Sequence, residues 1–284
     1  MKDSIFAWMD TAESSCRANP PPAANPAVAL VVRFMRRRHT ITMKAAILAV
    51  LLVAGCAVHG AQPSRSSAEH QYAAEVAKLA AAPAPAPGGI LMVGSSIFRK
   101  WESCADDLAP LPVINRAFGG SRTGDQLFFF DQIVPSSRAG LVVWYCGSND
   151  VNAKGTPQAI LQNTREWLRR TRVALPQVRI LLVSVIRAPQ KRQAGLLAQV
   201  DEVNKGLLQL AGSVPDAAYA DVNPALETPA GEPVADCYAP DKLHLTLEGY
   251  RRMTSVLRPV IEKNWKASPA AKPQPPHRAG DSPH

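Results

Sequence analysis

Near the C-terminal end an Asp stands three residues before a His, in Asp241-Lys242-Leu243-His244. At that spacing a carboxylate can hold the Nδ1–H of the imidazole and leave Nε2 free as a general base. A base needs a nucleophile, and Ser96 is the leading candidate. It follows the apolar run Ile90–Val93, where a tight turn into a helix exposes a hydroxyl and lends a backbone N–H. Gly120 closes a Gly-Gly pair where a bare backbone N–H can meet a developing oxyanion, and Asn149 adds a side-chain N–H. Three such donors make an oxyanion hole, usually a large term in acyl transfer. Each piece alone has a plainer reading: a Ser after a strand caps a helix, a DxxH is a surface turn, and Asn and Gly-Gly permit loops. Their weight comes from arriving in order, after successive strand ends.

The elements that must position them alternate. Short apolar runs at Ile90–Val93, Val113–Asn115, Leu141–Tyr145, Ile180–Val185 and Ala217–Asp221 read as buried strands. Helical stretches lie between and around them. Residues 69–82 place Tyr72, Val76 and Leu79 on one face, and Pro83 to Gly89 then break the helix. Thr156 reads as an N-cap with Pro157 at N1, opening a helix to about Val173. Others are expected from Arg192 to Leu210 and from Thr246 to Trp265. Strands alternating with helices argue for a parallel sheet covered on both faces. In such sheets ligands bind at the carboxyl ends of the strands. Gly94-Ser95-Ser96, Arg116–Gly120 and Gly147–Asp150 all follow such ends.

Composition excludes several classes. The 284 residues are 46% hydrophobic and 19% charged, an ordinary globular balance. No apolar run reaches the length of a membrane span. The net charge of +9 is not gathered into a Lys/Arg stripe interleaved with aromatics, which argues against nucleic-acid binding. No Cys pair has zinc-finger spacing and no HExxH occurs, so no metal site is expected.

The N-terminal part reads as an export signal. Arg36-Arg37-Arg38 and Lys44 precede the apolar run Ala45–Ala54, which ends Val53-Ala54-Gly55-Cys56. This resembles a bacterial lipobox, which implies lipidation at Cys56 and a lipid anchor in the cell envelope. Ala57 in place of a retention Asp favours the outer membrane. Residues 1–34 are expected to be an extension upstream of true initiation at Met35 or Met43. Residues 35–55 are then the signal, 56–68 a tether, 69–266 the folded domain and 267–284 a Pro-rich tail. Cys146 ends an apolar run and is expected to be buried. Cys104 and Cys237 lie near the motif blocks and are a candidate disulfide pair in an oxidising compartment, with free thiols as the alternative.

The ordered blocks VGSSIFRKW (93–101), NRAFGGS (115–121), YCGSND (145–150) and PDKLHLTLEGY (240–250) resemble those of the SGNH, or GDSL-type, hydrolases. The resemblance spans about residues 69–265. It implies a three-layer α/β/α sandwich, flavodoxin-like, with a five-stranded parallel sheet. It also implies a Ser96–His244–Asp241 triad, an oxyanion hole of the Ser96 N–H, the Gly120 N–H and the Asn149 side chain, and no cofactor. The Asp of the GDS signature is Ser95 here, a variant that other members share. The literal Gly280-Asp281-Ser282 lacks a preceding strand, and no GxSxG occurs. The expected activity is serine esterase action on short acyl esters, chiefly acetyl, of sugars or of lipids such as lysophospholipids. O-acyl transfer by the same triad and a non-catalytic binding lipoprotein are the alternatives. Trp101, Tyr145 and Tyr238 are candidate pocket residues, with core packing the plainer reading for Tyr145. Arg122 and Arg187 are candidates for an anionic substrate group, with solvation or ion pairing the plainer reading.

Overall fold

A computed structural model describes residues 65–83 and 86–266, with side chains from residue 71 onward. The expected extension, the signal, Cys56, the start of the tether and the Pro-rich tail lie outside the described residues. Five parallel strands form one sheet: β1 (Ile90–Gly94), β2 (Val113–Asn115), β3 (Leu141–Tyr145), β4 (Arg179–Val183) and β5 (Ala217–Ala220). Their spatial order is β2-β1-β3-β4-β5. Ile90 pairs with Val113 on one side and with Leu141 on the other. The order reverses between β1 and β3, so the loops leaving those two strands diverge and open a crevice between them.

Among the described residues, four long helices cover the sheet: α1 (Arg65–Ala81), α2 (Pro157–Ala174), α3 (Leu197–Ser213) and α4 (Leu247–Lys266). The two-residue period of the strands divides the core. Leu91, Val93, Val142, Trp144, Ile180 and Leu182 pack with Tyr72 and Val76 of α1, Trp167 of α2 and Val203 of α3. Ile90, Met92, Val143, Leu181 and Val183 face the other way, against Tyr250, Met253, Leu257 and Ile261 of α4. Runs without polar alternation are buried on both faces, which is why these strands could be read from apolar composition. The result is the three-layer α/β/α sandwich.

A local signal explains the start of α2. The Thr156 hydroxyl accepts the Ala159 N–H at 3.2 Å, and Pro157 occupies the first turn of α2. The single helix expected from Arg192 is instead two. Residues Pro189–Gln193 form a short helix that ends at Gly195, whose φ of +69° closes the turn, and α3 starts afresh at Leu197. The Leu196 N–H reaches back to the Lys191 carbonyl at 2.9 Å, a left-handed helix stop that only glycine adopts without strain.

Candidate active site

Ser96 stands at the start of a four-residue helix, Ser96–Arg99, directly after β1. Two close approaches set it there. Gly94 has φ +136°, and a Cβ on it would lie 1.8 Å from the Tyr145 carbonyl oxygen, so only glycine lets the ends of β1 and β3 meet. Ser95 then donates its N–H to that same Tyr145 oxygen at 3.0 Å and accepts the Phe98 and Arg99 N–H bonds at its own carbonyl. Below the turn, the Tyr250 hydroxyl of α4 donates to the Ile97 carbonyl at 2.8 Å. The Ser95 hydroxyl, at the signature Asp position, is buried without a hydrogen-bond partner.

His244 comes from a distant part of the sequence, on the loop before α4. Its Nε2 lies 3.0 Å from Ser96 Oγ, across 148 residues of sequence, and its Nδ1 lies 2.6 Å from Asp241 Oδ2. A carboxylate only accepts, so Nδ1 carries the proton and Nε2 presents its lone pair to the serine hydroxyl. Lys242 takes a left-handed conformation, φ +59°. In that turn Asp241 Oδ1 accepts the backbone N–H groups of Leu243 and His244 at 3.0 and 2.9 Å. Partial burial alone would raise the Asp241 pKa. The hydrogen bonds from the His244 ring and from these two backbone groups outweigh it and hold the carboxyl well below the usual carboxylate range. Asp241 is therefore an anion wherever the imidazole works.

The third group of loops lies at the crevice between β1 and β3. Gly120 is exposed and has φ +75°. The next residue, Ser121, is buried. Its hydroxyl donates to Phe118 O and its carbonyl accepts one N–H of the Asn149 amide at 3.0 Å. One amide hydrogen is thus spent on orienting Asn149, which leaves the second for a ligand. Asp150 is buried, and its carboxylate accepts the Thr123 N–H and, at 2.6 Å, the Thr123 hydroxyl. Burial raises the Asp150 pKa, and these Thr123 bonds oppose the rise. The loop after β3 is thereby tied to the loop after β2. The structure thus joins Ser96, His244 and Asp241 by direct hydrogen bonds, and links Gly120 to Asn149 through Ser121.

Beside His244 an open cavity of 630 Å³ is lined by Arg99, Lys100, Ser103, Thr246 and Leu247. Leu247 is 83% exposed there.

Several sequence expectations are corrected. Cys104 and Cys237 are free thiols, not a disulfide. Both are buried. Cys104 opens a short helix packed on β2, whereas Cys237 sits where a single 3₁₀ turn meets α4. Burial pushes the Cys104 thiol up to about 11 and raises that of Cys237, so both behave as apolar side chains. Trp101 does not line the cavity beside His244: it is fully buried, stacked on Tyr250 with ring centroids 5.8 Å apart. Tyr145 and Tyr238 are buried too, Tyr145 in the core and accepting the Ile186 N–H. Arg187 takes the plainer of its two readings, ion-paired to Asp201 and Glu227.

Sequence reasoning missed other residues that hold the site. Gln126 donates its side-chain amide to Gly94 O at 2.9 Å and to the Ser121 hydroxyl at 2.8 Å, bridging two of the site loops. Lys191 is fully buried and donates to the Ser148 carbonyl at 3.0 Å and to Asn152 Oδ1 at 2.6 Å. Neither carries a local signal, because each acts on residues far away in the chain.

Solved structures with this architecture include three that illustrate its range. A Streptococcus pneumonia protein named for platelet activating factor matches with a TM-score of 0.61 at 19% identity, over 76% of this chain and 99% of its own. A GDSL-like lipase of Bacteroides thetaiotaomicron matches with 0.56 at 20% identity, over 68% and 98%. A carbohydrate esterase family 3 protein of Talaromyces cellulolyticus matches with 0.52 at 15% identity, over 63% and 98%. At these identities they establish the fold. No curated protein matches the chain significantly. The profile of one sequence family does match, over residues 93–252, the span from the Ser96 turn through His244 into α4. The chain belongs to the GDSL-like Lipase/Acylhydrolase family.

Proposed function

We propose that the protein is a serine esterase that hydrolyses short acyl esters, chiefly acetyl esters of carbohydrates or lipids, through an acyl-enzyme. The observation that carries this reading is the unbroken hydrogen-bond chain Ser96 Oγ–His244 Nε2, His244 Nδ1–Asp241 Oδ2, at 3.0 and 2.6 Å. In the first step Ser96 Oγ forms a bond to the ester carbonyl carbon as its proton passes to His244 Nε2. The carbonyl oxygen becomes an anion and is held by the Ser96 N–H, the Gly120 N–H and the Asn149 amide. Collapse of this intermediate breaks the bond to the alcohol oxygen, which leaves with the proton from Nε2. A water then gives its proton to Nε2 and attacks the acyl carbon, and the acid leaves as Ser96 regains its proton.

The cavity beside His244 supports a polar alcohol portion. The residue that protonates the leaving oxygen borders it, and Lys100, Ser103 and Thr246 offer hydrogen bonds suited to hydroxylated groups. The name of the Talaromyces carbohydrate esterase points the same way.

Hydrolysis of p-nitrophenyl acetate, butyrate and octanoate by the full-length chain tests the reading. Ser96→Ala is expected to lower kcat/KM by at least ~10³-fold on every chain length, with acetate the best substrate. Turnover that survives in Ser96→Ala overturns the assignment of the nucleophile.

A further inference from the structure

The first helix of the domain reaches the oxyanion side of the site. Tyr72, on α1, is only 6% exposed, and its ring is clamped between two others. It meets Phe118 edge-on at 5.3 Å between centroids and Phe129 at 6.4 Å. Phe118 belongs to the same loop as Gly120, so the ring is referenced to the oxyanion loop itself. At its free end the Tyr72 hydroxyl lies 3.4 Å from the position a Gly120 Cβ would occupy. The missing side chain of Gly120 therefore leaves the hydroxyl and the Gly120 backbone facing a shared space.

The ring is buried, but the hydroxyl makes no hydrogen bond among the described residues and its oxygen is not enclosed. The Tyr145 and Tyr250 hydroxyls are engaged, with Ile186 N and Ile97 O, whereas that of Tyr238 is enclosed and unpartnered. Ring packing thus fixes an open, unpartnered hydroxyl beside a bare glycine, where a bound ligand can reach it. One turn further along α1, Glu75 pairs with Arg99 at 2.6 Å, and the Arg99 stem passes within 3.0 Å of the Cβ position of Gly119. Tyr72 and Glu75 are three apart and share a helix face. One face of α1 thus braces both glycines of the pair.

We infer that Tyr72 is a further residue of the active site, its hydroxyl donating a hydrogen bond to the carbonyl oxygen of an acyl ester bound against Gly120. This rests on the esterase reading above. Burial, reinforced by the charge of Asp125 and opposed by that of Arg122, lifts the Tyr72 pKa to about 12. The hydroxyl is then protonated, and a donor, at every pH at which an ester is stable. A donor to an oxygen that gains charge strengthens its bond in the transition state, so its removal acts on kcat rather than on KM.

Tyr72→Phe deletes only this oxygen and keeps the ring contacts. With p-nitrophenyl acetate and the full-length chain, kcat is expected to fall about 10- to 100-fold, with KM within threefold of the parent. The control is Val76→Ala, which opens a small cavity on the same face of α1. It is expected to lower Tm and leave kcat unchanged at a temperature where all proteins are folded. Kinetic constants of Tyr72→Phe within twofold of the parent overturn the inference, as does a rise in KM alone. An equal loss of kcat in Val76→Ala also overturns it, by showing that α1 acts only through packing. Ser96→Ala in the same series separates the two readings. Turnover that needs Ser96 but ignores Tyr72→Phe sinks this inference alone, whereas turnover that ignores Ser96 sinks both.

Discussion

The Asp241 side chain is 49% exposed, yet three hydrogen bonds converge on its carboxylate. Two come from the backbone of its own turn, so the residue both shapes the loop and orients the imidazole. Asn at this position keeps one acceptor for the backbone but turns an N–H toward His244 Nδ1. The ring must then protonate Nε2, the nitrogen that has to accept the Ser96 proton. A fully buried Asp in such a position is worth about 10⁴ in kcat. Here water can partly replace the lost carboxylate, so Asp241→Asn is expected to lower kcat by about 10²- to 10³-fold, with KM little changed. A steady-state comparison on p-nitrophenyl acetate checks this. Activity within threefold of the parent would remove Asp241 from the proposed relay. The depressed Asp241 pKa also has a sign for the fold. Its contribution is fully present above the ordinary Asp value of about 4 and is lost as pH falls through the lower folded-state value.

At the scale of elements, the short helix Ser148–Asn152 carries Asn149 and Asp150, and its five residues are too few to be stable alone. It is held from both ends. Thr123 binds Asp150 on one side, and Lys191, from the short helix Pro189–Gln193, binds the Ser148 carbonyl and Asn152 on the other. Lys191 is fully buried, and that burial lowers its pKa to about 8. Between about pH 8 and the ordinary Lys value of about 10.4 the unfolded chain then binds more protons than the folded one. Folding stability contributed by this group therefore rises with pH across that window. Urea unfolding of the parent and of Lys191→Met at pH 7 and pH 10 isolates the effect, since buried Tyr and Cys titrate alike in both. The advantage of the parent over the variant is expected to be larger at pH 10 by up to ~3 kcal/mol, at 1.36 kcal/mol per pKa unit. An advantage that does not change with pH would mean that Lys191 titrates as an ordinary surface Lys.

At the scale of the whole molecule, the domain follows in sequence the segment that carries the proposed export signal. Lipidation at Cys56 is our proposal from the order of basic residues, apolar run and Ala-Gly-Cys. Export would place Cys104, Cys146 and Cys237 in an oxidising compartment. All three are buried free thiols, which protects them without a bridge. Cys56→Ala in the full-length chain is expected to move the protein from the membrane to the soluble fraction on cell fractionation, with kcat/KM on p-nitrophenyl acetate unchanged. Membrane association that survives this change would overturn anchoring through Cys56.

The sequence alone determined the alternation of strands and helices and the five-stranded parallel sheet, and it named the residues of the proposed triad. These are legible because buried parallel strands are unbroken apolar runs, and because Ser96, Gly120, Asn149 and His244 each follow a recognisable local signal. The Thr156–Pro157 cap was legible for the same reason. Gly195 splitting one expected helix into two was not, since a glycine within a helical pattern does not announce its φ. Tertiary structure decided what depends on partners far apart in sequence. It left Cys104 and Cys237 unpaired on separate elements, put Trp101 in the core, and buried Lys191 beneath the Asn149 helix. It brought the Tyr72 hydroxyl, from a helix that the sequence showed only as an apolar face, against Gly120. A side chain's type sets which bonds it can make. The packing of distant elements decides which atoms it meets and how dry the meeting place is, and that sets what each bond is worth.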